Sequence, residues 1–445
     1  MRATLQPDQL GALLSELPRE RKSGSAWRAP LHVFYCSAAR FRVDTVEKMG
    51  TLARNVFQER VATPDRLGAI AEVEATSAAV VHAAVERKLA VRPIEDLRVD
   101  FEDGLGALSP DEEDSCAVSA ARAYVDAHRR GGLPSASGIR IRTLRGDVAR
   151  RSLRTLDLFL TEAHEAIREQ RDFVVTLPKV QDSREVLVLA DALALLERDL
   201  GLLPGSIGVE LMVESPQGLF SPEGHLVTAA LLAAGQRRVR SVHLGVYDLL
   251  GSLSVTAPCQ RADHPLAAQV RRLLQLSLAG TGVVVSDGAT HRIPVAPHRV
   301  AVGVSLTTTQ QKENEAAIVG ALREHARNIE LALVDGVYRG WDLHPAQLVA
   351  RWATTFAFFR RELSAQQERM RGYVARAQHA GRTGSDFDDA ASAQGLLQTF
   401  LRGHACGALA DTDLTAAGLS PALVAEERAV QALMSSWSTS SGVTP

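Results

Sequence analysis

The sequence has few cysteines and few lysines, and both shortages limit what the chain can be. The four cysteines lie far apart and form no Cys-x-x-Cys pair: Cys36, Cys116, Cys259 and Cys406. This spacing argues against a zinc knuckle or a disulfide scaffold and suits a reducing cytoplasm. Lysine occurs only at positions 22, 48, 88, 179 and 312. Few side chains are therefore available to form a Schiff base.

Long apolar runs, glycine-rich phosphate loops and an excess of one charge are also missing. No apolar run reaches the ~18 residues of a membrane-spanning helix, and the N-terminus lacks a signal-peptide stretch. A formal net charge of −2 gives no electrostatic footprint for nucleic acid or an anionic membrane. The lack of Walker-type and dinucleotide-type loops counts against ATP or NAD chemistry. We therefore expect a cytoplasmic protein that binds neither nucleic acid nor membrane.

Short apolar runs that end in polar residues alternate along the chain with helical patterns. The clearest helix is predicted at 183–200, where Asp182 and Glu185 have the spacing of a capping box. The pattern predicts eight buried strands, at about 31–35, 96–102, 138–142, 173–178, 207–213, 241–246, 282–286 and 337–343. Buried strands with helices between them favour a parallel sheet, and eight of them favour a closed (β/α)8 TIM barrel.

The chain is longer than a bare barrel requires. It has 445 residues, whereas a (β/α)8 barrel typically needs about 250. We expect an N-terminal helical extension at 1–30 and a barrel at 31–372. A helical insertion follows the first strand at about 44–92, and a helical tail occupies 373–445.

Two acidic residues follow apolar runs directly. Glu214 closes Ile207-Gly-Val-Glu-Leu-Met-Val-Glu, and Asp248 closes Val242-His-Leu-Gly-Val-Tyr-Asp. A carboxylate is too costly to leave unpaired in a core, so two of them at strand ends suggest a shared cation. The alternative is that both residues cap helices or form salt bridges.

Other polar residues occupy the same position after predicted strands. In a β/α barrel the carboxyl ends of the strands build the active site, so each of these residues is a candidate: Glu102, Asp103, Arg140, Lys179 and His344. Lys179 is the one lysine placed for a Schiff base, although pairing with a carboxylate is the simpler role. His344 would act as a general base or hydrogen-bond donor, or would only secure the last strand. Tyr247 has the same ambiguity.

Six short motifs in order along residues 31–360 resemble one enzyme group: Phe101-Glu-Asp-Gly, Ile139-Arg-Ile, Leu177-Pro-Lys-Val, Met212-Val-Glu-Ser-Pro, Leu244-Gly-Val-Tyr-Asp and His344-Pro-Ala-Gln. As a set they resemble the HpcH/HpaI aldolase and citrate lyase beta-subunit-like family of the phosphoenolpyruvate/pyruvate-binding barrel superfamily. Malate synthases share this barrel and have similar arginine, glutamate and aspartate positions.

The resemblance implies roles for the candidate residues. Glu214 and Asp248 would hold Mg²⁺ or Mn²⁺, and Arg140 would contact a substrate carboxylate or carbonyl. Glu102 and Asp103 would lie near the metal and the substrate, through water or by orienting the arginine. Arg142 departs from the family, where a small polar residue is common. It would face outward or pair with one of the acids.

These expectations combine into a functional hypothesis. The chain would be a Mg²⁺-dependent carbon–carbon lyase of the aldolase kind, acting through an enolate on an α-oxo acid or acyl-coenzyme A substrate. By resemblance it would be a homo-oligomer, a trimer or hexamer. One alternative is a malate-synthase-like Claisen condensation, with a base from a neighbouring subunit or from Asp386, Asp388, Asp389, Asp411 or Asp413. Another is a non-catalytic barrel that binds a metabolite or a partner protein.

Overall fold

A computed structural model describes residues 29–103, 105–106, 108–170, 172–299, 305–378 and 390–426. Nearly all of the expected N-terminal extension lies outside the described residues. So do Asp386, Asp388 and Asp389 of the tail.

Eight parallel strands form the centre of the molecule, and they confirm the predicted (β/α)8 barrel. They are His32–Ser37 (β1), Asp96–Asp100 (β2), Ala136–Arg140 (β3), Asp172–Leu177 (β4), Ile207–Val213 (β5), Val239–Leu244 (β6), Val284–Ser286 (β7) and Gly340–Asp342 (β8). Consecutive strands are neighbours, and β1 also pairs with β8. Between β7 and β8 a bridge joins Ser286 to Arg339, and the N–H of Asp287 donates to the Arg339 carbonyl at 2.8 Å. These contacts bring the two edges of the sheet together.

Helices follow each strand and cover the outside of the barrel. Those after β2 to β8 are Pro110–Arg129, Val148–Glu169, Ser183–Asp199, Thr228–Ala234, Val246–Ser252 with Pro265–Leu278, Thr308–Val334, and Gln347–Arg360. The expected capping box at Asp182 and Glu185 is present. After β1 the chain forms three helices instead of one: Thr45–Arg60, Pro64–Ala71 and Ala75–Val91.

The length and apolar character of these helices decide whether any could cross a membrane. In the described part of the chain no single helix is long and apolar enough to do so. The pair Pro64–Ala71 and Ala75–Val91 meets the length and composition limits only when joined, and these two helices meet at 100°.

The inside of the barrel contains a buried ionic network around Glu210 on β5. Its carboxylate accepts hydrogen bonds from Thr176 Oγ1 at 2.7 Å and Ser241 Oγ at 2.6 Å. The guanidinium groups of Arg98 and Arg339 each lie 3.2 Å away. Burial alone would raise the pKa of Glu210, but Arg98, His243 and Arg339 hold it well below its usual range. The network therefore fills the barrel below the candidate site with paired charges.

The C-terminal helices pack beneath the barrel, at the N-terminal ends of the strands. They are Leu363–Gln378, Ala390–Cys406, Asp411–Ala416 and Pro421–Ala425, and they share a separate apolar cluster. Lys88 Nζ donates to the Cys406 carbonyl at 3.0 Å. It also pairs with Glu95, which lies just before β2. Asp413 accepts from Arg360 at 2.9 Å, and Asp411 contacts His404 at 2.8 Å. Asp411 and Asp413, two of the five tail aspartates named above, therefore lie at the barrel end opposite the strand carboxyl ends.

We expect Glu197→Gln to lower the free energy of unfolding by about 2–4 kcal/mol, because it leaves the buried Arg238 without its counter-charge. Both oxygens of Glu197 accept from Arg238, at 2.7 and 2.8 Å, and from the N–H groups of Gly205 and Ile207. Urea denaturation at pH 7 would measure the loss. Glu162→Gln, which loses a pair with the exposed Arg122, should cost less than about 1 kcal/mol.

The Glu197 contribution should depend on pH in one direction. Burial raises its pKa, but Arg238 and the two N–H donors outweigh burial, so the folded pKa is lowered. The stabilisation is thus complete above the unfolded pKa of about 4.3 and is lost as pH falls through the folded pKa. A wild-type-to-variant difference that stayed constant down to pH 2 would contradict this account.

Candidate active site

The carboxyl ends of β2 to β6 bring together five carboxylates and two cations. The group contains six of the eight residues predicted as site residues, together with Asp100: Asp100, Glu102, Asp103, Arg140, Lys179, Glu214 and Asp248. Below they are called the acidic cluster. Tyr247 and His344, the other two predicted residues, lie outside it.

Arg140 lies at the centre of the first half of the acidic cluster. It is the last residue of β3 and is in register with Asp100, the last residue of β2. Its Nε and Nη2 donate to the two oxygens of Asp100 at 2.6 and 2.5 Å. Below it the ring of Tyr35 lies 5.0 Å from the guanidinium carbon. This two-pronged pair fixes the arginine rigidly.

Two further carboxylates complete the surroundings of Arg140. Glu102 lies 3.2 Å from Nη1, and Asp103 accepts from Nη2 at 3.0 Å. Glu102 is nearly buried, whereas the side chain of Asp103 is 66 % exposed. Burial raises the pKa of Glu102 despite the attraction of Arg140. The arginine is therefore surrounded by acids of its own chain, and its contact with a substrate stays a prediction.

Lys179 connects the two halves of the acidic cluster. Its Nζ donates to Glu102 at 2.7 Å, and its backbone N–H donates to Glu214 at 2.6 Å. The residue has a left-handed backbone with φ of 54°, a conformation that costs a non-glycine residue on the order of 1 kcal/mol or more. This backbone aims the N–H at Glu214 while the side chain turns to Glu102.

The protonation of Lys179 bears on the Schiff-base alternative. Burial lowers its pKa, but the hydrogen bond to Glu102 and the surrounding carboxylates outweigh burial and raise it. A Schiff-base lysine needs a lowered pKa so that the free amine can attack. The surroundings of Lys179 therefore favour its role as a fixed cation.

Glu214 has the most perturbed carboxylate of the acidic cluster. It directly follows β5 and is buried, with 5 % exposure. Burial and the like charges of Glu102 and Asp248 together raise its pKa to about 8. The N–H of Lys179 acts against them. Glu214 thus occupies a position where negative charge is in excess and a cation would be favoured.

Gly245 makes the space that Glu214 occupies. A Cβ atom at this position would overlap the Cβ of Glu214 and would lie 2.5 Å from its Oε2. The backbone N–H of Gly245 also pairs with the carbonyl of Val213, at 3.0 Å. Asp248 follows in the first turn of the helix Val246–Ser252. The stretch from Leu244 to Asp248 therefore supplies both the space for one acid and the position of the other.

The donor set fits a hard divalent cation. Within the described ranges no three His, Cys, Asp or Glu side chains form a metal-binding group. The two acids predicted to hold a cation are Glu214 and Asp248. Mg²⁺ is commonly held by one or two carboxylates, with water and substrate oxygens filling its other positions. A closed structural zinc site would need four ligands, usually nitrogen or sulfur. The site thus suits Mg²⁺ or Mn²⁺ and not a structural zinc ion.

Tyr247 contacts His291, a histidine that was not predicted as a site residue. The Tyr247 ring stacks on the His291 imidazole with 3.2 Å between centroids. The Tyr247 hydroxyl accepts a hydrogen bond from the backbone N–H of His291 at 2.9 Å. Burial lowers the pKa of His291, although the charges of Asp103 and Asp248 oppose this. Near pH 7 the imidazole is therefore mostly neutral. His291 lies in the loop beyond β7 and not directly at a strand end, so the position that marked the other candidates did not identify it.

His344 lies in the turn between β8 and the next helix, outside the hydrogen bonds that join the acidic cluster. Its Nδ1 accepts from the N–H of Ala346 at 3.2 Å, and burial lowers its pKa. Gln347 accepts from the N–H groups of Leu343 and His344 and donates to the Thr290 carbonyl at 2.8 Å. The His344-Pro-Ala-Gln motif therefore ties the loop after β8 to the loop that carries His291.

Two other polar residues near strand ends have structural partners. Asp342, fully buried, contacts His32 at 3.0 Å and His325 at 2.8 Å. Arg142 lies beyond the end of β3 and pairs with Glu113 of the helix Pro110–Arg129. Arg142 therefore pairs with Glu113 and not with Glu102 or Asp103.

Fold and site together define a β/α barrel with an acidic candidate metal site at the carboxyl ends of its strands. The chain belongs to the family described as Domain of unknown function (DUF6986), whose pattern matches residues 15–432. No curated protein matches it.

Two solved enzymes illustrate the structures to which this chain is similar. Malate synthase of Haloferax volcanii in a magnesium/glyoxylate complex is 14 % identical, with a TM-score of 0.44 over 94 % of this chain and 99 % of that one. Protein CitE of Mycobacterium tuberculosis in complex with magnesium and pyruvate is 17 % identical, with a TM-score of 0.38 over 74 % and 92 %. Likeness at this level carries no argument about activity.

Proposed function

We propose that this chain is a Mg²⁺- or Mn²⁺-dependent carbon–carbon lyase of the aldolase kind. Its substrate would be an α-oxo acid or an acyl-coenzyme A thioester, cleaved or formed through an enolate. The observation that carries the proposal is the acidic cluster, in which five carboxylates face only two cations. A non-catalytic barrel has no need of an excess of negative charge around the buried Glu214, which destabilises the fold unless a cation binds.

Glu214 and Asp248 would hold the metal ion. When bound, the ion supplies positive charge that stabilises the developing enolate oxygen. Lys179 would hold Glu214 in place through its backbone N–H and keep Glu102 oriented through Nζ. The protonated lysine and Arg140 add fixed positive charge to the same region.

His291 would be the proton acceptor. In aldol cleavage a base removes the proton of the β-hydroxyl group, that carbon becomes a carbonyl, and the electrons of the broken C–C bond form the enolate. A base for this step must be neutral near the working pH. The His291 imidazole meets that condition because burial lowers its pKa, and its stacking on Tyr247 fixes the ring.

No observation favours the Claisen alternative. It needs a carboxylate base near the acyl group, and the two described tail aspartates lie at the opposite end of the barrel. Asp413 is bound to Arg360, and Asp411 to His404.

Calorimetric titration with oxalate, a mimic of the pyruvate enolate, would test the proposal. We expect saturable binding to the wild-type protein in the presence of Mg²⁺ and none without it. In Glu214→Gln, binding should be weaker by about 100-fold, since a ligand carboxylate is lost from a site that has only two. Glu223→Gln removes an exposed acid and should leave binding unchanged.

Binding that requires both Mg²⁺ and Glu214 would support the metal–enolate site. It would justify screening oxo-acid aldols and acyl-coenzyme A substrates, with His291→Asn as the test of the proton acceptor. Absence of binding in every condition would overturn the proposal in favour of a non-catalytic barrel.

A further inference from the structure

The barrel has a polar cavity at the end opposite the acidic cluster. It has a volume of about 680 Å³ and lies between the N-terminal ends of the strands and the C-terminal helices. Its lining includes Asp96 and Ala136 from strand starts and Ala405 and Val424 from the tail. Small-molecule sites typically occupy about 300–1,000 Å³. This cavity, called the floor cavity below, is thus large enough for a metabolite.

Positive charge predominates in the floor cavity. Five arginines line it: Arg92, Arg98, Arg240, Arg339 and Arg402. Three carboxylates line it as well: Glu95, Asp96 and Asp172. Glu95 pairs with Lys88, and Asp96 with Arg98 and Arg339. A cationic cavity in a chain of net charge −2 favours an anionic ligand.

Arg339 is the residue that most directly calls for a ligand. It is buried, with 5 % exposure. Its Nη2 donates to Asp96 at 2.6 Å and its Nη1 to the Pro30 carbonyl at 3.2 Å. Its Nε is buried, and no acceptor for it exists among the described residues. A buried donor is costly to leave unpaired, and a small rotation of the Arg339 side chain would bring its Nε to an oxyanion in the floor cavity.

The tail completes the floor cavity. Arg402 comes from the helix Ala390–Cys406, and its guanidinium carbon lies 4.5 Å from the centre of the Tyr338 ring. Arg240, at the start of β6, is exposed at the rim. The lining also includes the apolar side chains of Leu31, Val174 and Val284. Planar guanidinium groups match carboxylate and phosphate oxygens in pairs.

We infer that the floor cavity binds a small organic anion, with the arginines on its phosphate or carboxylate group and the apolar wall on its carbon body. This site is separate from the acidic cluster and does not depend on the proposed lyase activity. It also gives the C-terminal tail a role in forming a ligand site.

Calorimetric titrations of the metal-free full-length protein would test this inference. The probes are inorganic phosphate, phenylphosphonate and propane-1,2,3-tricarboxylate, so that the series separates phosphate-type from carboxylate ligands. We expect one-to-one binding of at least one probe. Arg240→Gln and Arg402→Gln should each weaken it by at least about tenfold. Arg339→Lys keeps the charge but removes the Nε donor, and it should weaken binding to a similar degree.

Two controls identify the site. Arg122→Gln removes an exposed arginine on the outer helix and should leave the affinity unchanged. Glu214→Gln should also leave it unchanged, which separates the floor cavity from the acidic cluster. Because Arg240 is exposed, its variant should fold even if the Arg339 variant does not. No binding of any probe, or equal affinity in Arg240→Gln, Arg402→Gln and wild type, would overturn the inference.

Discussion

Replacing Gly245 with alanine should abolish Mg²⁺-dependent oxalate binding while the barrel stays folded. The new methyl group would overlap the Cβ of Glu214 and lie 2.5 Å from Oε2. Because turning the carboxylate does not move Cβ, the backbone at the end of β5 would have to shift, and this shift would displace Glu214 from the proposed metal position. A displacement of about 1 Å is enough to disable a site of this kind. We expect at least about a 100-fold loss of affinity, measured by calorimetry.

Gly251→Ala is the matched control for this prediction. It lies in the same short helix as Asp248, but its added methyl group would only approach Gln260 at 3.7 Å, an ordinary contact. Oxalate binding in this variant should match that of the wild type, and circular dichroism should show both variants folded. Wild-type affinity in Gly245→Ala would show that the position of the Glu214 carboxylate beside Gly245 does not matter for metal binding.

Replacing Gly138 with alanine should prevent the barrel from folding. Gly138 lies in the middle of β3 and is paired with Val174 of β4. An added Cβ would overlap the Val174 carbonyl oxygen and lie 2.8 Å from its carbonyl carbon. Both are backbone atoms of a paired strand, which cannot move without breaking the ladder. We expect a loss of more than about 4 kcal/mol, seen as insoluble protein or as the absence of a cooperative thermal transition.

Gly208→Ala provides the comparison on a neighbouring strand. Its added methyl group would meet Cγ of the exposed Arg240 side chain at 2.8 Å and Val174 Cγ2 at 3.3 Å. The arginine side chain can rotate away, so this variant should fold and lose on the order of 1 kcal/mol. Equal stability of the two variants would refute the steric argument for Gly138.

The parts of the site that were predictable from sequence depend on position along the strands. A parallel barrel brings all strand carboxyl ends to one face. A residue such as Glu214 or Lys179 could therefore be assigned to that face from its place after an apolar run alone. The helix start at Asp182 was equally readable, because a capping box involves only residues three apart.

The remaining features depend on contacts between distant segments. Arg142 and His344 lie near strand ends, as Arg140 does. Arg142, however, pairs with Glu113, and His344 lies in a turn held by Gln347. The position of His291 depends on the loop after β7. The local sequence pattern does not encode the course of that loop. Which side chains meet in such loops depends on packing between elements, which the strand pattern leaves open.

The sequence by itself therefore determined the barrel and the face that carries the acidic cluster, since local periodicity and strand ends encode both. Only the tertiary structure decided that Gly245 makes room for Glu214 and that the tail helices lie beneath the barrel. It also decided that Glu210 and two arginines fill the barrel interior. These features arise from pairings between residues far apart in the chain, whose geometry exists only once the barrel has closed.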